Sequence, residues 1–319
     1  MKPIKIAVLM DDIKDIKPHK DSSLAMMLEA TKRHWEIYTF DSHELFARGE
    51  QVLATCARTK VFDDSQYWYE KEEKVDMPLE EFDVILMRKD PPFNMNYIYA
   101  TYFLEQAEKK GVLVVNKPQS LRDANEKLFA LNFPHCIAKT LVSSNQVQIK
   151  NFIKEQGVSV VKPLDGMGGK DIFKLASDDT NINKVLDYLT HQGDTPIMAQ
   201  EFLPEISRGD KRILLINGQP IDYALARMPA KGSFKGNLAA GATGVGQPLT
   251  DRDRYLCDQI APTLKAKGLM FVGLDVIGDY ITEINVTSPT CIRELDTQFN
   301  LNIAGILFDT IEQVLNSAH

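Results

Sequence analysis

The chain has 319 residues, 44% of them hydrophobic and 25% charged, enough apolar material for a full globular core in roughly two to three structural units. Its 44 acidic and 37 basic residues give a net charge of −7 with no Lys/Arg block, which argues against nucleic acid as a partner. No apolar run approaches ~18 residues, so no segment is expected to span a membrane.

The opening "IKIAVLM" is too short and too soon acidic for a secretory signal and reads as a first strand. "SSLAMMLEATKRHW" predicts a helix with Ser22 or Ser23 as N-cap and Leu24, Met27, Leu28 and Thr31 on one face. "EIYTF" and "FDVILM" read as strands, the second apolar throughout, as a strand covered on both faces would be. "NYIYATYFLEQAEKKG" is a helix ending at Gly111, and "VLVVN" a further strand. This alternation predicts a parallel, doubly wound sheet. The loop after the first strand, "DDIKDIKPHKD", contains no glycine, so a dinucleotide site of the G-x-G-x-x-G type is not expected. "MRKDPPFN" (87–94) follows a parallel strand at the end where open α/β sheets bind ligands; Arg88 there could fork onto a carboxylate, or the segment is a rigid surface loop.

In the middle third, "SNQVQIKNFIKEQG" predicts a helix closed by Gly157. The strand "VSVVKP" follows, then a loop carrying Gly166, Gly168 and Gly169, then "DIFKLA" with strand composition. The loop lacks the G-x-x-x-x-G-K-[ST] spacing of a P-loop. Phosphate loops of that kind open a helix; a glycine loop between two strands predicts a flap folding over a ligand held on another surface. "NINKVLDYLTHQG" reads as an amphipathic helix and "PIMAQEFL" as a strand.

The last third begins with "DKRILLI" and "PIDYALAR" around Asn217-Gly218, a hairpin signal. Residues 229–248 show no apolar periodicity and read as a long structureless loop, a lid candidate. Thr250 is the expected cap of "DRDRYLCDQIAPTLKAKG", with Pro262 a potential kink. "MFVGLDVIG" and "DYITEINV" form a second hairpin at Gly278-Asp279, and "IAGILFDTIEQVL" is the closing helix.

Asp275, Glu283 and Asn285 sit inside strands dominated by Val, Ile and Leu, where a carboxylate is costly unless paired or bound to a cation. Their hard oxygens suit magnesium; the alternative is solvent-facing positions of an edge strand. Glu283 and Asn285 share a face by strand periodicity. A three-residue turn would bring Asp275 opposite Glu283, whereas a two-residue turn would put them on opposite faces. Lys127, Lys162, Arg212 and Arg227 form a cationic set that could grip a triphosphate, each taken singly reading as surface charge. No G-x-S-x-G is present, and no histidine or cysteine is placed as a nucleophile. Six scattered histidines and cysteines 56, 136, 257 and 291 without C-x-x-C spacing predict no zinc site and reduced thiols in the cytoplasm.

Lys127, Lys162 with "KPLDGMGG", "AQEFL", "GDKRILL", "LAR", "GNLAAG", "VGLDVIG" and "TEINVTSPTCIRE" together resemble the bacterial glutathione synthetases of the ATP-grasp superfamily. The likeness extends through "KDSS", "ILMRKDPPF", "YATY" and "VNKPQSLRDANEKLF", and so covers essentially the whole chain. It implies an α/β (α+β) ATP-grasp fold in three parts: a Rossmann-like parallel-sheet domain (1–122), a small lid domain (123–202) and a C-terminal antiparallel-sheet catalytic domain (203–319). It implies ATP-dependent ligation of γ-glutamylcysteine to glycine through an acyl phosphate, giving glutathione, ADP and phosphate.

The resemblance also assigns roles. Two Mg²⁺ ions, with Mn²⁺ as a substitute, would be held by Asp275, Glu283 and Asn285. Lys127 and Lys162 would contact the phosphates, with Gly166, Gly168 and Gly169 closing over them. Gln200, Glu201, Phe202 and Leu203 would form the adenine hinge, with Asp210 near the ribose. Arg212, Arg227 and Asn237 would be catalytic, Arg212 through charge developing in the transition state. Arg88, Ser22, Ser288, Pro289 and Thr290 would contact the dipeptide. The 229–248 loop would close over the acyl phosphate to exclude water. Lys235 stands before "GN" where the family pattern leads one to expect arginine, which keeps the charge and loses the fork. The family is commonly dimeric or tetrameric. Other ATP-grasp carboxylate–amine ligases, of the D-alanine–D-alanine or glutamate ligase type, and a non-catalytic ATP-binding protein are the rival readings.

Overall fold

The computed structural model describes residues 3–230, 232, 236 and 242–317. Its first sheet is built from β1 (Lys5–Leu9), β2 (Glu36–Phe40), β3 (Leu45–Arg48), β4 (Gln51–Val61), β5 (Tyr69–Lys71), β6 (Val75–Pro78), β7 (Val84–Met87) and β8 (Leu113–Val115). The order is β3-β4-β2-β1-β7-β8, with β5 and β6 also paired to β4. The pairs β2–β1, β1–β7 and β7–β8 are parallel, as the alternating pattern predicts. The flank is different: β4 runs antiparallel to β2 and to its other partners, so the sheet is mixed. That excursion was not foreseen, because residues 45–78 lack a clean apolar–polar alternation, although Gly49 and Asp63-Asp64-Ser65 mark its turns.

Helices α1 (Ser22–Lys32), α2 (Met95–Lys109) and the short α3 (Pro118–Asp123) complete this part. The cap of α1 is Asp21, whose carboxylate accepts from the Leu24 amide at 2.6 Å, and not Ser22 or Ser23. Its buried face is Ser23, Leu24, Met26, Met27 and Ala30, while Thr31 is exposed. The serines lie inside the helix because an aspartate one position earlier is an equally good cap.

A second, antiparallel sheet has the order β11-β10-β12-β9, from β9 (Thr140–Ser143), β10 (Val158–Pro163), β11 (Phe173–Ala176) and β12 (Ile197–Glu201). Helices α4 (Gln146–Gln156) and α5 (Ile182–Leu189) cover it through a small core of Ile149, Ile153, Val161, Leu175 and Leu186. The strand expected over "DIFKLA" begins only at Phe173.

The third sheet, β15-β14-β13-β16-β17, is also antiparallel. It comprises β13 (Asp210–Ile216), β14 (Gln219–Met228), β15 (Thr243–Pro248), β16 (Phe271–Ile277) and β17 (Tyr280–Asn285), followed or flanked by α6 (Asp251–Ala266), α7 (Ile292–Phe299) and α8 (Ile303–Ser317). Asn217 and Gly218 both have positive φ, 48° and 74°, the type I′ geometry that matches strand twist. Thr250 caps α6 in a reciprocal box with Asp253, and the helix runs on past Pro262. The loop expected over 229–248 is partly structured, since residues 243–248 form β15 against β14. Lys235 and Asn237 lie outside the described residues.

One buried side chain ties the first and third sheets. Asn116 donates to the carbonyls of Phe271 and Val286, both at 2.7 Å, and its Oδ1 accepts from the Phe271 amide at 2.8 Å. A buried amide with three partners is stabilising only in that one docking geometry.

Candidate active site

The chemistry-bearing side chains converge where β16 and β17 face the second sheet. The Gly278-Asp279 turn has two residues, since Ile277 pairs with Tyr280. Parity alone would then put Asp275 and Glu283 on opposite faces. A β-bulge decides otherwise: the register shifts between Asp275 and Val276, and Asp275 stands opposite Glu283. The extra residue of the bulge is Thr282, whose hydroxyl donates to the Asp275 carbonyl at 3.2 Å. Bulges re-aim side chains in this way beside active sites.

Four cations reach these carboxylates and their neighbours. Arg212 grips Asp275 through Nε at 2.5 Å and Nη2 at 3.1 Å. Arg227 Nη2 bridges Asp210, at 2.5 Å, and Asp275, at 2.9 Å. Lys127 Nζ lies 2.9 Å from Glu283 and donates to the Gly166 carbonyl at 2.8 Å. Lys162 Nζ donates to the Thr282 carbonyl at 3.2 Å. Burial alone would raise the Asp275 carboxyl, but Arg212 and Arg227 outweigh it and hold it well below the usual carboxylate range. Burial would likewise raise Glu283; Lys127 and Lys162 lower it. Burial lowers Lys162, only partly offset by Glu283. Asp210 goes the other way, raised because burial exceeds the pull of Arg227.

Two clefts meet at this cluster. The first, about 890 Å³, is lined by Lys127, Lys162, the glycine loop, Gln200 to Leu203, Asp210, Asp275 and Glu283. Its walls come from the second sheet on one side and the third on the other. The second, about 780 Å³, is lined by Asp90, Glu126, Arg212, Arg227, Asn285, Ser288 and Thr290, and shares Met167, Gly168, Asp275 and Glu283 with the first. The carboxylate pair therefore stands on the boundary between them.

The structure thus brings together Lys127, Lys162, Gly166, Gly168, Gly169, Gln200, Glu201, Phe202, Leu203 and Asp210 in one cleft, and Arg212, Arg227, Ser288 and Thr290 in the other. Arg88, Ser22 and Pro289 stand behind the wall. Arg88 Nε donates to Ser23 Oγ at 3.1 Å and Nη2 to the Pro289 carbonyl at 2.9 Å, while Ser22 Oγ accepts from the Ile292 amide at 3.3 Å. These residues hold the 288–292 segment in place. Glu126, Asp90 and Thr287 also face the second cleft and were not singled out. Each lies inside a quoted segment, Asp90 in "MRKDPPFN", Glu126 in "VNKPQSLRDANEKLF" and Thr287 in "TEINVTSPTCIRE", but an isolated acidic or hydroxyl residue on a loop has no periodicity to betray it.

The donor set fits a hard divalent cation. Asn285 Oδ1 is buried and, among the described residues, has no hydrogen-bond partner, an arrangement that costs about 1–3 kcal/mol unless something accepts its lone pairs. With the Asp275 and Glu283 carboxylates it offers three oxygens of the type Mg²⁺ takes.

The glycine loop joins two antiparallel strands, as a flap should. A Cβ on Gly166 would lie 2.7 Å from Pro163 Cγ, inside contact distance. Gly166→Ala is therefore expected to shift the flap at a cost of about 1–3 kcal/mol, the usual range for overpacking. The expected readout is a raised KM for nucleotide together with a modest fall in the unfolding midpoint; an unaltered KM would mean that the loop does not touch the ligand.

A cleft between two antiparallel sheets, lined by lysines, carboxylates and a glycine flap, is the arrangement expected of an ATP-grasp ligase. The comparisons agree and narrow it. Residues 4–122 match the prokaryotic glutathione synthetase N-terminal domain, and residues 126–300 match the prokaryotic glutathione synthetase ATP-grasp domain. The chain belongs to the prokaryotic glutathione synthetase family. It is 55% identical over 302 residues to a glutathione synthetase of Coxiella burnetii, covering 95% of this chain and 94% of the relative. It is 53% identical over 314 residues to one of Pseudomonas syringae pv. tomato, covering 98% of each. Among solved structures it shares its fold with a D-cycloserine synthetase, at a TM-score of 0.68 and 12% identity, covering 99% of this chain and 100% of that one. It also shares its fold with D-alanyl-alanine synthetase A of Vibrio cholerae, at a TM-score of 0.60 and 10% identity, covering 99% of each.

Proposed function

We propose that the chain joins γ-glutamylcysteine to glycine with conversion of ATP to ADP and phosphate. The γ-phosphoryl group passes to the dipeptide's cysteinyl carboxylate, giving an acyl phosphate. The glycine ammonium gives up one proton so that its nitrogen carries a lone pair, the nitrogen attacks the acyl carbon, the carbon–oxygen bond to phosphate breaks, and the nitrogen loses a second proton. The observation that carries this reading is the meeting of the two clefts at Asp275 and Glu283, which puts a nucleotide's terminal phosphate within reach of a substrate in the second cleft.

In this reading ATP lies in the first cleft, with its base against the backbone of Gln200 to Leu203, Asp210 at the ribose, and its phosphates against Lys127, Lys162 and the flap. Asp275, Glu283 and Asn285 would hold two Mg²⁺, or Mn²⁺, which screen the charge on the phosphate oxygens. Arg212 and Arg227, desolvated and fixed by Asp275 and Asp210, offer preorganised positive charge where negative charge builds up on transfer. Ser288 and Thr290 contact the dipeptide, with Arg88, Ser22 and Pro289 holding their loop. Asn237 would act from the closing segment. Divided at 122/123 and 202/203, each part carries one of the three sheets. No helix among the described residues is long and apolar enough to cross a membrane. We place the reaction in the cytoplasm, where the four free, buried cysteines stay reduced.

Phosphate release measured with ATP, γ-glutamylcysteine and a panel of amines tests the reading. Glycine is expected to support the fastest release; equal or faster release with D-alanine would point to a different ligase, and binding of ATP with no release to a non-catalytic protein.

A further inference from the structure

The second cleft holds a carboxylate that neither the nucleotide nor the metal reading uses. Glu126 lies on its wall with Arg212, Asp275, Glu283 and Ser288. Its own carbonyl accepts from the Ile284 amide at 2.9 Å, so its backbone is fastened to β17 between Glu283 and Asn285. Its Oε1 accepts from the Thr287 hydroxyl at 2.7 Å. Among the described residues no other hydrogen bond and no salt bridge reaches this carboxylate, although two cations are near. Those are engaged elsewhere, Lys127 on Glu283 and the Gly166 carbonyl, Arg212 on Asp275. The result is a carboxyl group held on the cleft wall whose second oxygen has no cationic side chain. Burial and the neighbouring Glu283 charge push its carboxyl up to about 7, as expected of a buried anion with too little positive charge beside it.

The reaction supplies a cation for this place. The attacking nitrogen must come within roughly 3–3.5 Å of the acyl carbon, and that carbon sits at the boundary of the two clefts. The incoming amino acid arrives as an ammonium ion, whereas the groups transferred and attacked are anionic and match Arg212 and Arg227. Of the anions lining the second cleft, Asp90 and Glu126 are not assigned to metal; Asp90 accepts from the Ser288 hydroxyl, and Glu126 is the one whose backbone is bonded to β17 beside Glu283.

We infer that Glu126 is the binding residue for the ammonium group of the incoming amino acid, oriented by the Thr287 hydroxyl and facing the acyl carbon from the second cleft. The inference rests on the ligase reading above. It explains why a carboxylate is tolerated beside two others: the position is neutralised when the acceptor binds. It also assigns Thr287 a positioning role, since this hydroxyl fixes which carboxylate oxygen faces the cleft.

The test compares Glu126→Gln with the unmodified enzyme using two nucleophiles, glycine and hydroxylamine, the second largely uncharged at neutral pH. Glutamine keeps the size and an oxygen for Thr287, so the loop should stay in place. The KM for glycine is expected to rise about 10- to 100-fold, the range for losing a hydrogen bond to a charged group. Hydroxylamine-dependent phosphate release should fall far less, and that release also shows that the variant is folded and forms acyl phosphate. An unchanged KM for glycine, an equal loss with both nucleophiles, or a shift in Mg²⁺ dependence as the main effect would overturn the assignment. If the unmodified enzyme itself fails to use glycine, the ligase reading fails first, and the two failures are distinct.

Discussion

Glu283→Gln is expected to lower turnover by about 10²- to 10³-fold, the range seen when one preorganised electrostatic group is removed from a reaction centre. Glu283 stands opposite Asp275 across β16 and β17, and both line the boundary of the two clefts. The substitution preserves volume and removes one negative charge. Lys127, 2.9 Å away, loses its partner and would be drawn toward the remaining anions. The proposed metal would lose one of its two carboxylate ligands. Phosphate release at saturating substrates measures the effect, and far-ultraviolet circular dichroism checks that the third sheet survives. Turnover within about threefold of the unmodified enzyme would refute the ligand role, because a bystander carboxylate lies near the low end of surface-charge effects.

The largest stability effect is expected at a site away from the chemistry. Asp253 is fully buried at the start of α6, where it accepts from the Thr250 hydroxyl at 2.8 Å and from the Thr250 amide at 3.0 Å. It also receives Lys211, a buried ammonium from β13. Successive residues of β13 point to opposite sides, so Lys211 pins α6 to one face while Asp210 and Arg212 serve the clefts on the other. Asp253→Ala would leave Lys211 buried without a counter-charge and remove half the capping box, a loss of about 3–5 kcal/mol. Replacing both members by apolar residues, Lys211→Met with Asp253→Leu, should recover most of that, since two desolvation penalties disappear together. Urea unfolding followed by circular dichroism measures both. A loss below about 1 kcal/mol in the single variant would mean that the pair is effectively solvated.

Much of the architecture was legible locally. The βαβ alternation gave the parallel centre of the first sheet; Asn217-Gly218 and Thr250 marked a turn and a cap that the structure contains. Motif-length segments carried the resemblance, and with it the family to which the chain belongs. The misses lie where two local signals of similar strength compete. Asp21 displaces Ser22 as a cap, and residues 45–78 pair antiparallel without advertising an alternation.

What the sequence determined by itself was which residue types were present and which local element each occupied: cations, hard oxygen donors and a glycine loop between strands. Only the tertiary structure decided how they face one another. Sequence parity with a two-residue turn would have separated Asp275 from Glu283; the bulge at Thr282 reunites them. The sequence could not show that long-range packing engages Arg88 Nε with Ser23 and Nη2 with the Pro289 carbonyl. Glu126 had no signal of its own, because its position on the cleft wall depends on a backbone hydrogen bond to Ile284, 158 residues further along the chain (284 minus 126). Local propensity acts over a few residues, whereas a site is assembled from contacts whose sequence separation leaves no periodic trace.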